Sequence, residues 1–221
     1  RSHLDQHWGV DLGGWSAPVG RSDPAQVRPA EIGKGVGSDA EVKGQEPMEV
    51  SNSYCAFVAA LPAENHHRVY HDSEYGFAVD SDDALFGRLL LEINQAGLSW
   101  DIILKKQAHF RRAYHDYDIA KVASYGAVDV DRLLSDSGIV RNRLKINAAI
   151  YNAQQILRLQ KDHGSFRAWL SLQSELSIEG WVRLFKKTFK FTGGEITREF
   201  LMGTAHLPGA HVEGCPIHAK L

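Results

Sequence analysis

The sequence predicts an all-α fold, and three observations support that prediction. Between residues 82 and 204, apolar residues recur at steps of three and four, the period of a helix with one buried face. No segment alternates clearly between apolar and polar residues as a half-buried strand does, and no internal repeat is found. Residues 1–50 contain eight acidic and five basic residues, many glycines and prolines, and no sustained periodicity. We therefore expect a flexible arm or an expression tail at 1–50 and a helical region at 51–221.

The expected helices follow in chain order. The first is capped by Asp82 or Asp83, and its apolar stripe spans residues 85–93. Leu91 lies on the opposite side of that helix, which indicates a helix surrounded by protein. Ser99 caps the second helix. Similar spacing predicts three further helices, at 129–136, 141–161 and 195–204.

Composition excludes several classes of protein. Hydrophobic residues make up 43% of the 221 residues, so the chain is too apolar to be disordered throughout. No stretch approaches the ~18 consecutive apolar residues of a membrane helix, and the N-terminus lacks the pattern of a signal peptide. We therefore expect a cytoplasmic protein with no membrane partner, nucleoid-associated if its source is bacterial. Two cysteines are too few for a disulfide framework.

The distribution of charge is compatible with a nucleic acid partner. The whole chain has 25 basic and 27 acidic residues, a net charge of −2, but residues 51–221 have 20 and 19. The basic residues of that region form three clusters: Lys105, Lys106, Arg111 and Arg112; Arg141, Arg143 and Lys145; and Lys186, Lys187 and Lys190. Such clusters can follow a phosphate backbone while acidic residues occupy the other face.

A short segment near residues 133–146 resembles the helix-hairpin-helix of DNA repair proteins. Gly138 suits the left-handed conformation at a helix end, and Ile139 and Val140 are expected to pack inward. The next helix has three basic side chains in its first turn: Arg141, Arg143 and Lys145. Free amides at a helix start, surrounded by basic side chains, can bind one backbone phosphate. An ordinary tight turn with a solvated basic rim is the alternative.

Both cysteines lie in the helical region, and each has a histidine nearby in the sequence. His211 precedes Cys215 by four positions, and His71 follows Cys55 by sixteen. Two cysteines and two histidines form a common tetrahedral zinc shell, which is closed to water and therefore structural. Two alternatives remain open from spacing alone: two inert thiols, or a disulfide, which a cytosolic location disfavours.

Six motifs resemble the 3-methyladenine DNA glycosylase I family, a bacterial base-excision repair family. They are YHDSEYG at 70–76, LEINQAGLSW at 91–100, LKKQAHFRRAY at 104–114, GIVRNRLKI at 138–146, KTFKFTG at 187–193 and AHVEGC at 210–215. The resemblance covers about residues 54–215. It implies a helix-hairpin-helix glycosylase fold, with a base pocket between two helical lobes. It also implies one structural Zn²⁺, bound by Cys55, His71, His211 and Cys215.

The resemblance implies hydrolysis of the N-glycosidic bond of 3-methyladenine in double-stranded DNA. Glu92 is the implied catalytic carboxylate, accepting hydrogen bonds from the base edge and favouring its positive charge. Trp100 offers an aromatic face, worth about 1–2 kcal/mol in cation–π attraction, and Tyr70 contacts the base from the other side. Without the resemblance, each has a plainer interpretation as a surface carboxylate or a packing aromatic. Leu98 is a candidate wedge for the gap left by the flipped base.

Other residues complete the expected site. Phe57 and Tyr75 stand where the family often has tryptophan and are expected to line the base pocket. The expected DNA-binding residues of the hairpin are Gly138, Val140, Arg141 and Lys145. No lysine is placed as a Schiff-base nucleophile, so we expect a monofunctional enzyme without a lyase step. We also expect a monomer.

Two departures from the family pattern motivate alternatives. Ile93 stands where a small residue is usual, and Glu195 stands where small or hydroxyl residues are usual. A zinc-stabilised DNA-binding homologue without catalysis is one alternative. A glycosylase for a different alkylated base is the other.

Overall fold

A computed structural model describes residues 53–221, so the predicted arm at 1–50 lies outside the described residues. Within this part of the chain the secondary structure is helical and contains no strand, which confirms the all-α prediction. Its α-helices are α1 (Tyr54–Ala59), α2 (His66–Ser73), α3 (Asp82–Gln95), α4 (Trp100–Ala113), α5 (Ile119–Ala123), α6 (Ala127–Ser135), α7 (Arg143–His163), α8 (Phe166–Ser171), α9 (Ile178–Thr188) and α10 (Gly194–Gly203). Short 3-10 helices lie at His115–Tyr117 and His218–Lys220.

The start of α3 differs from the prediction because its two aspartates cap other helices. Ser81 is the N-cap of α3. The Asp82 carboxylate instead accepts hydrogen bonds from the Phe166 and Arg167 amides at the start of α8, at 2.7 and 3.0 Å. Asp83 accepts one from the Ile119 amide at the start of α5, at 3.1 Å. Both side chains therefore satisfy free amides of distant helices.

The remaining predicted helices exist with shifted ends. Ser99 is the N-cap residue of α4, but its side chain makes no capping hydrogen bond. The helix predicted at 141–161 begins instead at Arg143, because Asn142 accepts hydrogen bonds from the next helical amides. The helix predicted at 129–136 is α6, and the one at 195–204 is α10. Periodicity missed the shorter helices α1, α2, α5 and α8, as well as α9.

The core surrounds α3, the most buried helix of the described region. Ten of its residues are buried, and Leu91 is only 1% exposed, which confirms that protein covers both sides of the helix. Helices α4, α7, α8 and α10 pack against it. A second, smaller apolar cluster, of Cys55, Cys215 and Ile217, joins the first described helix to the C-terminal segment. Between residues 53 and 221, none of the helices combines the length and hydropathy needed to cross a bilayer.

Candidate active site and metal cluster

Helix α3 places the carboxylate of Glu92 inside the protein. The residue is 6% exposed, and within residues 53–221 its carboxylate takes part in no hydrogen bond. Burial raises the pKa of Glu92 well above its usual value, and the charges of Glu199 and Glu195 raise it further. The positive charge of Arg88 acts in the opposite direction. The site therefore holds a desolvated carboxylate without a fixed partner.

Arg88 lies one turn before Glu92 and is held in place by other contacts. Its Nη2 donates to the Glu74 carboxylate at 3.0 Å and to the Glu74 carbonyl at 3.1 Å. Its guanidinium lies 5.1 Å from the centroid of the Tyr70 ring. The buried Nη1 has no hydrogen-bond partner in the described part of the chain. Sequence reasoning missed Arg88, although its spacing of four residues from Glu92 put both on one helix face.

Three buried aromatic side chains form one wall beside Glu92. The Tyr70 and Trp100 rings lie 5.3 Å apart at 63°, and the Tyr70 and Tyr75 rings lie 5.8 Å apart at 37°. The negative charge of Glu92 adds to the effect of burial in raising the pKa of Tyr70 and of Tyr75. The charge of Glu92 therefore acts on both phenols. We call Tyr70, Tyr75 and Trp100 the aromatic wall.

Phe57, the fourth residue expected at the base pocket, lies one layer away from this wall. Its ring centroid is 5.3 Å from that of His67 and 6.2 Å from that of Tyr54. Tyr54 in turn contacts Tyr75, with centroids 5.7 Å apart. The structure thus connects Phe57 to the wall through Tyr54.

Helix α10 brings a second carboxylate to the aromatic wall. The Tyr75 hydroxyl donates a hydrogen bond to Glu199 Oε2 at 3.2 Å. Burial, followed by the charge of Glu195, raises the pKa of the half-buried Glu199 from 4.5 to about 7. Sequence reasoning singled out Glu195, which is exposed, and missed Glu199. The helical spacing of four residues between them was the available signal.

The four predicted metal ligands meet in one cluster, with their donor atoms within 4.8 Å of one another. His71 Nε2 and His211 Nδ1 are 3.1 Å apart, and Cys215 Sγ lies 3.8 and 3.6 Å from these atoms. Cys55 Sγ lies 3.7 Å from His211 Nδ1. Zinc–ligand bonds of about 2.0–2.3 Å at tetrahedral angles separate the donors by about 3.3–3.8 Å. Both cysteines are free, so the structure does not contain the alternative disulfide.

Contacts behind the cluster orient both histidine rings. His71 Nδ1 lies 2.7 Å from Asp72 Oδ1, and His211 Nε2 lies 2.8 Å from the Tyr75 carbonyl oxygen. Such outer contacts fix which ring nitrogen faces the cluster. Gly76 has a φ of +79°, and a Cβ there would approach His211 Cδ2 to 3.0 Å. Glycine is therefore required both for its backbone conformation and for the close approach of His211.

The hairpin between α6 and α7 differs from the prediction at its glycine. Helix α6 ends at Ser135, and Gly138 does not have a positive φ. A Cβ at Gly138 would lie 2.5 Å from Nδ1 of the exposed His109 side chain and 2.9 Å from Asp136 Oδ1, so a larger residue there would require these side chains to shift. The Gly138 amide donates to Asp136 Oδ1 at 2.7 Å. Ile139 is buried as expected, at 3% exposed.

The start of α7 presents unpaired amides and an exposed arginine. Among the described residues, the amides of Val140, Arg141 and Arg143 donate no hydrogen bond. Val140 is half-buried and packs against the core, and Arg141 is exposed. Leu98, the expected wedge, is half-buried in the turn between α3 and α4. The geometry leaves donors at this helix start for an external acceptor.

Lys145 does not face the surface, contrary to the expectation of a phosphate contact. The residue is 7% exposed, and its Nζ donates to the carbonyl oxygens of Asn94 at 2.9 Å and Ala96 at 2.7 Å. Burial lowers the pKa of Lys145 to about 8. A cation at the C-terminal end of α3 also complements the helix dipole. The side chain therefore ties α7 to the end of α3, directly before the turn that carries Leu98.

Comparison with known proteins shows similarity over most of the described region. The profile of the methyladenine glycosylase family matches residues 61–179. The chain is 32% identical to DNA-3-methyladenine glycosylase 1 of Escherichia coli (strain K12), over 73% of this chain and 94% of that protein. Identity to the DNA-3-methyladenine glycosylase of Haemophilus influenzae is 31%, over 66% and 89% of the two chains.

Solved structures of similar proteins share the fold. One is 3-methyladenine DNA glycosylase I from Staphylococcus aureus, with a TM-score of 0.67, 31% identity, and coverage of 74% of this chain and 95% of that one. Another is a variant of 3-methyladenine DNA glycosylase I in complex with 3-methyladenine. Its TM-score is 0.66 and its identity 31%, with coverage of 74% and 96%.

Proposed function

The chain belongs to the methyladenine glycosylase family, and we propose that it hydrolyses the N-glycosidic bond of 3-methyladenine in alkylated DNA. The observation that carries this proposal is the buried, unpartnered carboxylate of Glu92 beside the aromatic wall. Side chains of this kind suit a flat base that carries positive charge, because aromatic faces and a desolvated carboxylate both attract a cation.

Each residue of the site has a role that follows from the substrate. Adenine methylated at N3 is cationic within the nucleotide, so its glycosidic bond is already weak. The enzyme needs to flip the nucleotide out, hold the cation and admit water to the sugar. Trp100 and Tyr70 offer ring faces to the base, and Glu92 accepts hydrogen bonds from the base edge. The buried amine of Lys145 is bonded to two carbonyls, which supports a monofunctional reaction without a Schiff base.

We propose that the start of α7 binds one backbone phosphate of double-stranded DNA. The unpaired amides of Val140 and Arg141 and the exposed Arg141 side chain support this role. Leu98 fills the gap left by the flipped nucleotide, and the protein acts as a monomer. Affinity then rests on a few phosphate contacts and falls steeply with salt.

We further propose that Cys55, His71, His211 and Cys215 bind one Zn²⁺. Two thiolates and two imidazoles match the ligand preference of zinc, and the spacing of their donor atoms fits a tetrahedron. A site with four protein ligands has no open position for water, so the ion supplies structural stability and no chemistry. It links α1 and α2 to the C-terminal segment and thereby supports Tyr70, the neighbour of His71.

The release of 3-methyladenine from methylated duplex DNA tests the proposed function. Chromatography of the bases released by the purified protein is expected to give 3-methyladenine, with no strand cleavage before alkali treatment. DNA binding without base release would favour the homologue that lacks catalysis, and release of only a bulky adduct would favour another alkylated base. Ile93 was one of the two residues that motivated these alternatives. Its side chain lines a narrow internal space with Lys145 and Ala149 of α7, and no residue of the aromatic wall lines that space.

A further inference from the structure

Glu199 is part of the site that the proposed function uses, although no motif of the sequence singled it out. Its hydrogen bond from the Tyr75 hydroxyl, at 3.2 Å, attaches it to the aromatic wall. The Tyr75 ring contacts Tyr70, whose ring contacts Trp100. Glu199 is half-buried, and among the described residues no basic side chain forms a salt bridge with it. Its charge is therefore available to a ligand that binds beside the aromatic wall.

The charge of Glu199 acts on Glu92. After burial, the charge of Glu199 is the strongest influence that raises the pKa of Glu92. The other charged groups that face this pair are Glu195 and Arg198 on α10 and Arg88 on α3. Two carboxylates in a shared low-dielectric site cannot both be ionised without a cost. A cation placed between the two carboxylates and the aromatic wall removes that cost, and a neutral molecule of the same shape does not.

We propose that Glu199 is a specificity-determining residue that makes this pocket select alkylated purines carrying a positive charge over neutral purines of similar shape. The inference rests on the proposed function, since it concerns the same pocket. Glu92 alone balances one positive charge. The second carboxylate makes the field of the pocket negative enough to favour a cation even when Arg88 is close to Glu92.

Two small ligands separate charge from shape. One is 3-methyladenine, which is neutral as a free base at pH 8, and the other is 3,9-dimethyladeninium, which carries a positive charge like the damaged nucleotide. Dissociation constants are measured by calorimetry at pH 8 with the full chain, for wild type, Glu199→Gln and Glu195→Gln. The glutamine at 199 still accepts the hydrogen bond of Tyr75 and removes only the charge. Glu195→Gln is the matched control, because Glu195 is an exposed residue of the same helix whose charge influences Glu92 less than that of Glu199 does.

We expect a loss of affinity for the cation and not for the neutral base. Glu199→Gln weakens binding of the cation at least tenfold and changes binding of the neutral base less than twofold. Glu195→Gln changes either affinity less than threefold. Equal losses for both ligands would show a structural role for Glu199 and overturn the inference, as would no loss at all. If neither ligand binds to wild type, this inference fails, and the release of 3-methyladenine from methylated DNA decides separately whether the proposed function fails with it.

Wild type alone provides a second test that needs no variant. Burial raises the pKa of both carboxyl groups, so we expect binding of 3,9-dimethyladeninium at pH 7 to release protons to the buffer. Calorimetry in buffers of different ionisation enthalpy measures this release. Binding of the cation without proton release would contradict the proposed pair.

Discussion

Glu92 and Glu199 reduce the stability of the folded chain at neutral pH. The pKa of Glu199 rises from 4.5 to about 7 on folding, chiefly through burial. A carboxyl with a raised pKa binds its proton more tightly in the folded state. The stability that this tighter proton binding contributes is therefore complete below pH 4.5 and is lost as the pH rises to about 7. The groups that face Glu199 are Tyr75, Glu92, Glu195 and Arg198.

Replacing Glu199 by glutamine removes this loss. We expect Glu199→Gln to raise the Tm by several degrees at pH 8 and to change it little at pH 4.5, because the neutral amide needs no proton to be buried. Thermal denaturation at both pH values measures the difference. Glu195→Gln, on the exposed side of α10, serves as the control and should show a smaller pH-dependent gain, because the charge of Glu195 raises the pKa of Glu199 less than burial does. A Tm gain of the same size at both pH values would contradict the account.

The sequence predicted that some of these residues belong to the candidate site and missed others. Glu92, Tyr70 and Trp100 occur in motifs that resemble a known family, so their grouping was expected. Arg88 and Glu199 are single charged residues on amphipathic helices, and such residues are usually solvated. Two features of the tertiary structure bring Glu199 to the site. Helix α10 packs against α3, and the Tyr75 hydroxyl donates a hydrogen bond to the Glu199 carboxylate. That packing depends on contacts between residues more than a hundred positions apart.

Helices α3 and α7 are joined by the ammonium of Lys145, which the sequence placed on the surface. Its position in the first turn of a basic helix start made a phosphate contact a reasonable expectation. In the structure its side chain instead reaches two carbonyls at the end of α3. Lys145 thus fixes the helix end from which the turn with Leu98 begins.

A pair of substitutions distinguishes a buried structural contact from a surface contact with DNA among the basic residues of α7. Lys145→Met leaves the Asn94 and Ala96 carbonyls without their partner, and we expect it to cost about 2–3 kcal/mol of stability. Arg143→Met removes an exposed charge and is expected to change stability by less than about 0.5 kcal/mol while weakening DNA binding. Denaturant unfolding and DNA titrations at two salt concentrations measure both effects. Unchanged stability of Lys145→Met would contradict the buried contact.

The ends of the helices were less predictable than their existence. Periodicity located α3, α4, α6, α7 and α10, since their buried faces repeat at the helical period. Asp82 and Asp83 look like caps of α3 in the sequence, yet they cap α8 and α5, which are distant along the chain. Gly138 was expected to adopt a left-handed conformation, whereas its φ is not positive and a larger residue there would require the His109 side chain to shift. Such choices depend on tertiary contacts.

The cluster of Cys55, His71, His211 and Cys215 connects the two ends of the described chain. If it binds zinc as proposed, purified protein contains about one Zn²⁺ per chain. Cys55→Ser should then lower the Tm by ten degrees or more, because metal binding contributes directly to folding. His163→Gln, at an exposed histidine near the end of α7, is the control and should leave the Tm unchanged. Metal analysis and thermal denaturation test this. Metal-free protein with the same Tm would contradict the proposal.

Whole-chain charge was a poor guide to the partner of this protein. The net charge of −2 includes an acidic excess in residues 1–50, and the basic residues of 51–221 are clustered. One member of these clusters, Lys145, is buried. The unpaired amides of Val140 and Arg141, directly before α7, are the donors that we propose for the phosphate in place of Lys145.

The rate of 3-methyladenine release by wild type and Glu92→Gln is the most direct test of the central claim. Single-turnover release from methylated duplex DNA isolates the chemical step, and Gln keeps the shape of the side chain while removing its charge. We expect release by wild type and a rate at least a hundredfold lower for Glu92→Gln, with similar DNA affinity. Equal rates for the two proteins would contradict the claim that the buried carboxylate of Glu92 stabilises the cationic base.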